Sequence, residues 1–422
     1  MERLARMVVA LFLVAAACTD DGGATASGGK TTLVLQVSGE REETRVYHAV
    51  IDAFEDANPD ISVELVEVAD KDDHLQKLTT SFAAGDAPDV FLVNFREYSQ
   101  FVVRGAIEPF DNYYEARGIR LEDYFSHPIE AFTYQDALQC MPQNISSLVV
   151  YYNTKLFKQA GLAHPKSWTW DQFRAAAIEL TKGNVHGLGI DPEIIRIAPF
   201  VWSVGGDVVD DLGAPTHFTL DTPEARRALG FIVGLVRDDK VVPGEAELSA
   251  QDLETRFTTG KLGMLLSSRR DTPVFREVAG LEWDVAPLPV GDAPAGILHS
   301  DAYCISASSE NIEEASKLVA YATGTDGQTI TALAGRTVPS LKDVARSGAF
   351  LDPTQRPSHS QVFLQGIPTI RRTPVIPTWP EIEDLAEEFL TRLFYEDGYS
   401  MDDFLADLDA ETRPLFEEGT NG

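Results

Sequence analysis

The hydrophobic pattern of this chain switches repeatedly between two periods. Residues 32–37 form a short β-rich run, and the stretch that follows places Val46, Val50 and Phe54 on one face of a helix. Asn58-Pro59 ends that helix, because proline disfavours the helical conformation of the residue before it. From 61 to 68, Ile61, Val63 and Leu65 alternate with acidic and polar partners, as in a half-buried strand. A second helix is predicted over 72–84, stopped by Gly85. Ala87-Pro88-Asp89 then leads into the continuous apolar run 90–93, which suits a strand covered on both faces. Strand, helix, strand, helix, strand at this spacing predicts an α/β unit with a largely parallel sheet.

The second half repeats the theme with different residues. A strand is predicted over 146–152 and a helix over 153–160, closed by Gly161. Thr169, with Gln172 three positions on, has the form of a capping box that opens the next helix. From Thr222-Pro223-Glu224 a helix turns Ala228, Ile232, Leu235 and Val236 inward. Phe257 to Leu266 reads as a helix end, a glycine turn and a buried strand, and 381–416 reads as helix throughout.

The first residues follow another logic. The apolar run from Met7 to Ala17, preceded by Arg3 and Arg6, is shorter than the ~20 residues that span a bilayer and ends in small residues before Cys18. Residues 1–17 are therefore expected to be a cleaved lipoprotein signal peptide with Cys18 as the lipidation site. Residues 18–30, rich in Gly, Ser, Ala and Asp, are expected to be a flexible tether. The protein is thus expected to be exported and anchored to the outer face of the cytoplasmic membrane. Residues 31–422 exceed one ordinary core and suffice for two domains. A formal charge of −31 repels phosphate backbones, so nucleic acid is excluded as an expected partner.

Several segments carry a family resemblance. Ala-Gly-Asp-Ala-Pro-Asp-Val-Phe (84–91), Val-Tyr-Tyr-Asn-Thr-Lys-Leu-Phe (150–157) and Trp168-Thr-Trp-Asp-Gln-Phe come first. Trp202-x-x-Gly205-Gly206, Phe257-x-x-Gly-Lys-Leu-Gly-Met, Trp283-Asp-Val-Ala-Pro-Leu-Pro and Gly335-Arg336-x-Val338-Pro339 follow in order. In sequence and order they resemble the carbohydrate-binding lipoproteins of ATP-driven importers related to maltose-binding protein, extracellular solute-binding protein family 1. The resemblance implies a two-lobed periplasmic-binding-protein-like α/β fold, each lobe a mainly parallel sheet flanked by helices. The lobes would comprise 31–141 with 303–348 and 142–302 with 349–422. The hinge would be crossed three times, near 139–145, 299–304 and 345–355. It further implies a monomer that closes on a small solute and delivers it to membrane permease subunits, with no cofactor and no catalysis.

A sugar offers an apolar face to aromatic rings and hydroxyls to paired donors and acceptors. Trp202, beside Gly205 and Gly206, and Trp379, in a proline-rich loop, are the candidate stacking residues. Open α/β sheets bind ligands at strand ends. That rule selects Ser38 and Glu40 after the first strand, Asn94 after the run 90–93, and Asn144 before the strand 146–152. Asp301 lies in the expected second crossing, and Arg336 matches a family position that reaches over the cleft. Arg269-Arg270 stands where the family commonly has glycine and an aromatic residue, which leaves room for an acidic or small polyhydroxylated ligand.

By the resemblance, Cys140 and Cys304 fall on crossing strands that run side by side, so either a disulfide or two buried thiols is possible there. The competing class is a secreted hydrolase with two carboxylates, but 66 acidic residues make such a pair uninformative. No nucleophile elbow, zinc helix, phosphate loop or dinucleotide fingerprint appears, and the eight histidines show no metal-ligand spacing. A binding protein for a non-sugar solute differs from the sugar reading only in its cleft.

Overall fold

The structure is a computed structural model that describes residues 30–421. The expected signal peptide, Cys18 and the tether up to residue 29 lie outside the described residues. Alternation of strand and helix persists along the chain. β1 (Thr31–Ser38), α1 (Arg41–Ala57), β2 (Ile61–Val68), α2 (Lys71–Ala84), β3 (Val90–Asn94) and a short β4 (Ile107–Glu108) come first. β5 (Met141–Pro142), β6 (Val149–Asn153), α3 (Trp170–Leu180), β7 (His186–Gly189), α4 (Ile194–Ser203) and α5 (Pro223–Val233) follow. Next are α6 (Leu253–Thr258), β8 (Leu262–Ser267), α7 (Thr272–Glu277), β9 (Trp283–Ala286), β10 (Asp301–Ser306) and α8 (Thr325–Ala334). Two long helices close the chain, α9 (Trp379–Tyr395) and α10 (Met401–Asn421).

These strands form two principal sheets. The first has the order β2-β1-β3-β10-β4, with β5 pairing β10, and the second the order β9-β6-β8-β7. β1 runs parallel to β2 and β3, so all three end on one edge, and antiparallel β10 begins there with Asp301 opposite Asn94. In the second sheet β7 and β8 are parallel and end together, and antiparallel β6 begins at that edge. Met141–Pro142 and the start of β10 pair within the first sheet, so Pro142, Asp301 and Ala302 lie there and not with the second sheet.

Local chemistry explains the boundaries. Asp70 caps α2 by accepting from the N–H groups of Asp72 and Asp73, and Gly85, at φ +73°, ends it in a left-handed turn. The Thr169–Gln172 capping box opens α3 as the sequence predicts. Alternation in β6 splits its side chains between two cores. Val149 and Tyr151 join the cluster that continues into the first lobe, while Val150 and Tyr152 face α3, α4 and α9.

The C-terminal stretch differs from the uninterrupted helix the sequence suggested. It breaks between Tyr395 and Met401, where Gly398 takes a positive φ that ordinary residues avoid. Cys140 and Cys304 are joined by a disulfide with Cα atoms 4.5 Å apart. The spacing follows from the pairing of Tyr303 with Met141, which places the two cysteines at the next position of adjacent antiparallel strands.

Candidate functional site

The strand-end edges of the two sheets meet. Arg96, two residues beyond β3, forms an ion pair with Glu383 of α9, both side chains being mostly buried. Arg45 of α1 pairs with Glu277 of α7. Open α/β sheets present backbone and loop side chains at this edge, so the seam is where fold geometry concentrates polar function.

On the first lobe the edge is a connected hydrogen-bond network. Asn94 Nδ2 donates to Asp301 Oδ1 at 3.0 Å, and Asn94 Oδ1 accepts from the backbone and Nε of Arg96. Asn144 Oδ1 accepts from the Asp301 N–H at 2.8 Å, while Asn144 Nδ2 reaches the His299 carbonyl. Glu97 is buried and paired with Lys71 at 3.1 Å. Burial works against the charge of Arg336, but Tyr47, Glu43 and Asp301 outweigh it and hold the guanidinium protonated.

The opposing edge is more acidic. Asp191 and Glu193 follow β7, and Arg196 of α4 lies 3.5 and 3.4 Å from their carboxylates. Arg270, after β8, is 3.2 Å from Asp271 and 4.0 Å from Glu254. Burial first, then the charges of Asp271 and Asp191, push Glu254 up to about 7. Glu387 is likewise pushed up to about 7, by burial and then by Glu193, Asp191 and Asp384. Arg270 is 59% exposed and Glu254 41%, yet protein desolvates both. His299 sits among Arg196, Arg96 and Arg270, and burial together with those cations keeps its imidazole neutral.

The residues selected from the sequence divide into three groups. Asn94, Asn144 and Asp301 come together in one network at the hinge, and Arg270 and Arg336 also reach the seam. Ser38 is half-buried at the end of β1, and Glu40 is an exposed residue at the start of α1 whose N–H is held by Glu43. The others are corrections. Trp379 is fully buried between Phe218 and Phe416 in the second lobe's core, so its ring has no free face for a sugar. Arg269 is 1% exposed, donates to the Gly335 carbonyl and Ser360 Oγ, and lies over Phe350 and Phe363. It joins chain segments across the hinge instead of facing a ligand. Trp202 is nearly buried, and Arg371, itself paired with Asp207, covers its ring at 4.9 Å. Gly205 supplies the left-handed turn after α4. A Cβ on Gly206 would meet Val201 at 3.0 Å and the Ala225 nitrogen at 3.2 Å, so that glycine serves close packing of α4 on α5.

Sequence reading missed Arg96, Asp191, Glu193, Arg196, Glu254, Glu383 and Glu387. The strand-end rule would have found Asp191 and Glu193 had it been applied to 186–189. Glu383 and Glu387 carry no such signal, since only the docking of α9 turns them to the seam. Among the described residues no group of three or more histidine, cysteine, aspartate or glutamate side chains is arranged to hold a metal ion, and no helix is long and apolar enough to cross a membrane.

The architecture matches solved structures over nearly its whole length. The substrate-binding protein Lmo0181 of Listeria monocytogenes, solved with cycloalternan, superposes with a TM-score of 0.83 at 24% identity, covering 93% of this chain and 99% of that one. UgpB of Mycobacterium tuberculosis, solved with glycerophosphocholine, gives 0.80 at 20% identity, covering 91% and 98%. The mannitol-binding protein of Pseudomonas aeruginosa is 24% identical over 361 residues, covering 82% of this chain and 78% of the relative. The family model for bacterial extracellular solute-binding proteins matches residues 38–329. The chain therefore belongs to the bacterial extracellular solute-binding proteins, the solute-capturing components of ATP-driven importers.

Proposed function

We propose that this chain captures a small polyhydroxylated solute, a sugar or polyol, between its lobes and delivers it to membrane permease subunits. Cys18 would carry a lipid anchor, residues 18–30 the tether, and the receptor would act as a monomer outside the cytoplasmic membrane. The lobes would be 31–141 with 303–348 and 142–302 with 349–422, and their closure would present the loaded form. The reading rests on one observation above all: charged donors and acceptors from both strand-end edges converge on a single seam. Such groups match hydroxyls, which donate and accept together.

Structural placement shifts the balance of ligand class. With Arg269 committed to the hinge, the remaining guanidiniums near Asp191 are Arg196 and Arg270. They face Asp191, Glu193, Glu254 and Asp271, with Glu387 beside Asp191 and Glu193. An anion would meet more carboxylates than guanidiniums there, so a neutral solute fits best. A polyol that also carries an amine is the second reading, favoured by that same surplus.

The test is a thermal-unfolding screen against neutral sugars, polyols, amino sugars and sugar acids, with product analysis of each hit. A ligand at 100 times its Kd raises stability by about 2.7 kcal/mol. A shift with ligand recovered intact supports the receptor, whereas turnover supports the carboxylate hydrolase instead. Membrane fractionation of Cys18→Ser tests the anchor: the variant should lose its attachment.

A further inference from the structure

A cavity of about 540 Å³ lies where α7, the turn into β9 and residues 355–356 meet. That volume falls within the range of small-molecule pockets. Val278, Ala279 and Leu281 supply apolar wall, and Gly280, at φ +80°, turns the chain around it. Three charged side chains also line it: Arg276, Arg356 and Glu282.

The two arginines carry unused donors. Arg276 Nε donates to the Arg356 carbonyl at 2.7 Å and Nη1 to the Leu333 carbonyl at 3.0 Å. Its Nη2 has no acceptor among the described residues and is not sealed from water. Arg356 is exposed and uses Nη1 alone, donating to the Trp283 carbonyl at 2.6 Å. Among the described residues no carboxylate lies within 4.0 Å of either guanidinium. The nearby acids are engaged elsewhere: Glu277 pairs with Arg45, and Asp352 accepts from the N–H and Oγ1 of Thr354. Glu282 is exposed on the rim. Burial works against the charge of Arg276, and only Tyr151 and Asp352 offset it. Arg276 in turn disfavours the charge of Arg269 behind it. In a chain of net charge −31, guanidiniums without a carboxylate beside a cavity lack the partner that burial calls for. A second cavity, of about 580 Å³ between residues 217–222 and α10, differs in this respect: its Arg226 and Arg413 are already paired with aspartates.

We propose that the cavity between α7 and Arg356 is a binding site, separate from the seam, for a small organic monocarboxylate whose oxygens accept from Arg276 Nη2 and from Nε and Nη2 of Arg356. Guanidiniums bind planar carboxylates in two-pronged fashion, and the apolar body of the ligand lies against Val278, Ala279 and Leu281. Inorganic phosphate would meet only the charged half of that lining. A polyanion would add repulsion from Glu282 with no further arginine to meet it. Arg276 already joins α7, the last turn of α8 and the segment at Arg356, so an occupant braces three parts of the chain that are distant in sequence. The proposal does not depend on which solute the seam binds.

The experiment is calorimetric titration of the full-length protein with benzoate, butyrate, benzamide and inorganic phosphate, repeated on Arg356→Gln, Arg276→Gln and Glu282→Gln. The expected result is binding of benzoate or butyrate that each arginine substitution weakens about tenfold or more. Benzamide keeps the ring and loses the charge, so it should bind more weakly than benzoate by a similar factor, and that comparison needs no variant to fold. Glu282→Gln should tighten carboxylate binding, because it removes the one like charge on the rim. Unchanged carboxylate binding in either arginine variant, or benzamide binding as tightly as benzoate, overturns the site. Weaker binding by Glu282→Gln does the same. Tightest binding of phosphate overturns it in favour of an inorganic anion, and failure of both carboxylates to bind the unaltered protein overturns it outright. None of these results bears on the receptor reading, which the sugar and polyol screen tests separately.

Discussion

The two edges that meet at the seam are built on different principles. On the first lobe, Asn94, Asp301 and Asn144 satisfy one another across the hinge strands, and a disulfide locks the neighbouring pair of strands. On the second, carboxylates crowd around Asp191 with too few cations to settle them, and Glu254 and Glu387 are held close to neutral pH. A satisfied network resists rearrangement, whereas a crowded acidic wall responds to whatever enters. The first edge is thus a satisfied network and the second a crowded, acidic one. The Arg96–Glu383 pair joins them: Arg96 stays charged, but burial outweighs its help and raises the pKa of Glu383, so the carboxylate is the strained partner.

That contrast can be broken at several points. Trp379→Ala removes the support under α9 and should cost about 3–5 kcal/mol in denaturant unfolding. Solute preference should be unchanged, since the ring does not face the seam; altered specificity would return Trp379 to the site. Replacing Cys140 and Cys304 by serine should cost about 2–5 kcal/mol, because the bond closes a long loop of 164 residues in sequence separation. A loss well under 1 kcal/mol would show that hydrogen bonds alone hold the fixed edge.

Arg96→Met leaves Glu383 buried without its cation and should destabilise the protein by about 3 kcal/mol at pH 8. The double variant Arg96→Met with Glu383→Leu should recover much of that loss. No recovery would mean the pair is not coupled. The smallest effect concerns pH. The folded-state pKa of Glu254, about 7, lies above its ordinary 4.5. Between those values the folded protein binds more protons than the unfolded chain, so stability falls as pH rises through that window. Glu254→Gln should flatten the slope of unfolding midpoint against pH between 5 and 7.5, and an unchanged slope would place the crowding elsewhere.

Secondary structure was legible because each boundary has a local cause. Asn58-Pro59, Gly85 and the Thr169–Gln172 box act within a few residues, and the alternation along 61–68 needs no partner to be read. Neighbouring residues at the site were not separable in this way. Arg269 and Arg270 are adjacent and chemically identical, yet one is clamped by Phe350, Phe363 and Ser360 and the other faces Asp271 in the seam. Trp379 and Glu383 lie one turn apart on α9, and the interior took the tryptophan while the seam took the glutamate.

By itself the sequence determined the α/β alternation, the two-unit organisation, the family, and the strand ends Asn94, Asn144 and Asp301 as polar positions. All of these follow from periodicity, turn chemistry and segment order, which act along the chain. Tertiary structure alone decided which arginine is structural, which tryptophans are buried, and that α9 brings Glu383 to Arg96 and Glu387 to Asp191. Those outcomes depend on how helices from distant parts of the chain dock on two sheets, and desolvation and charge crowding arise only once they have docked.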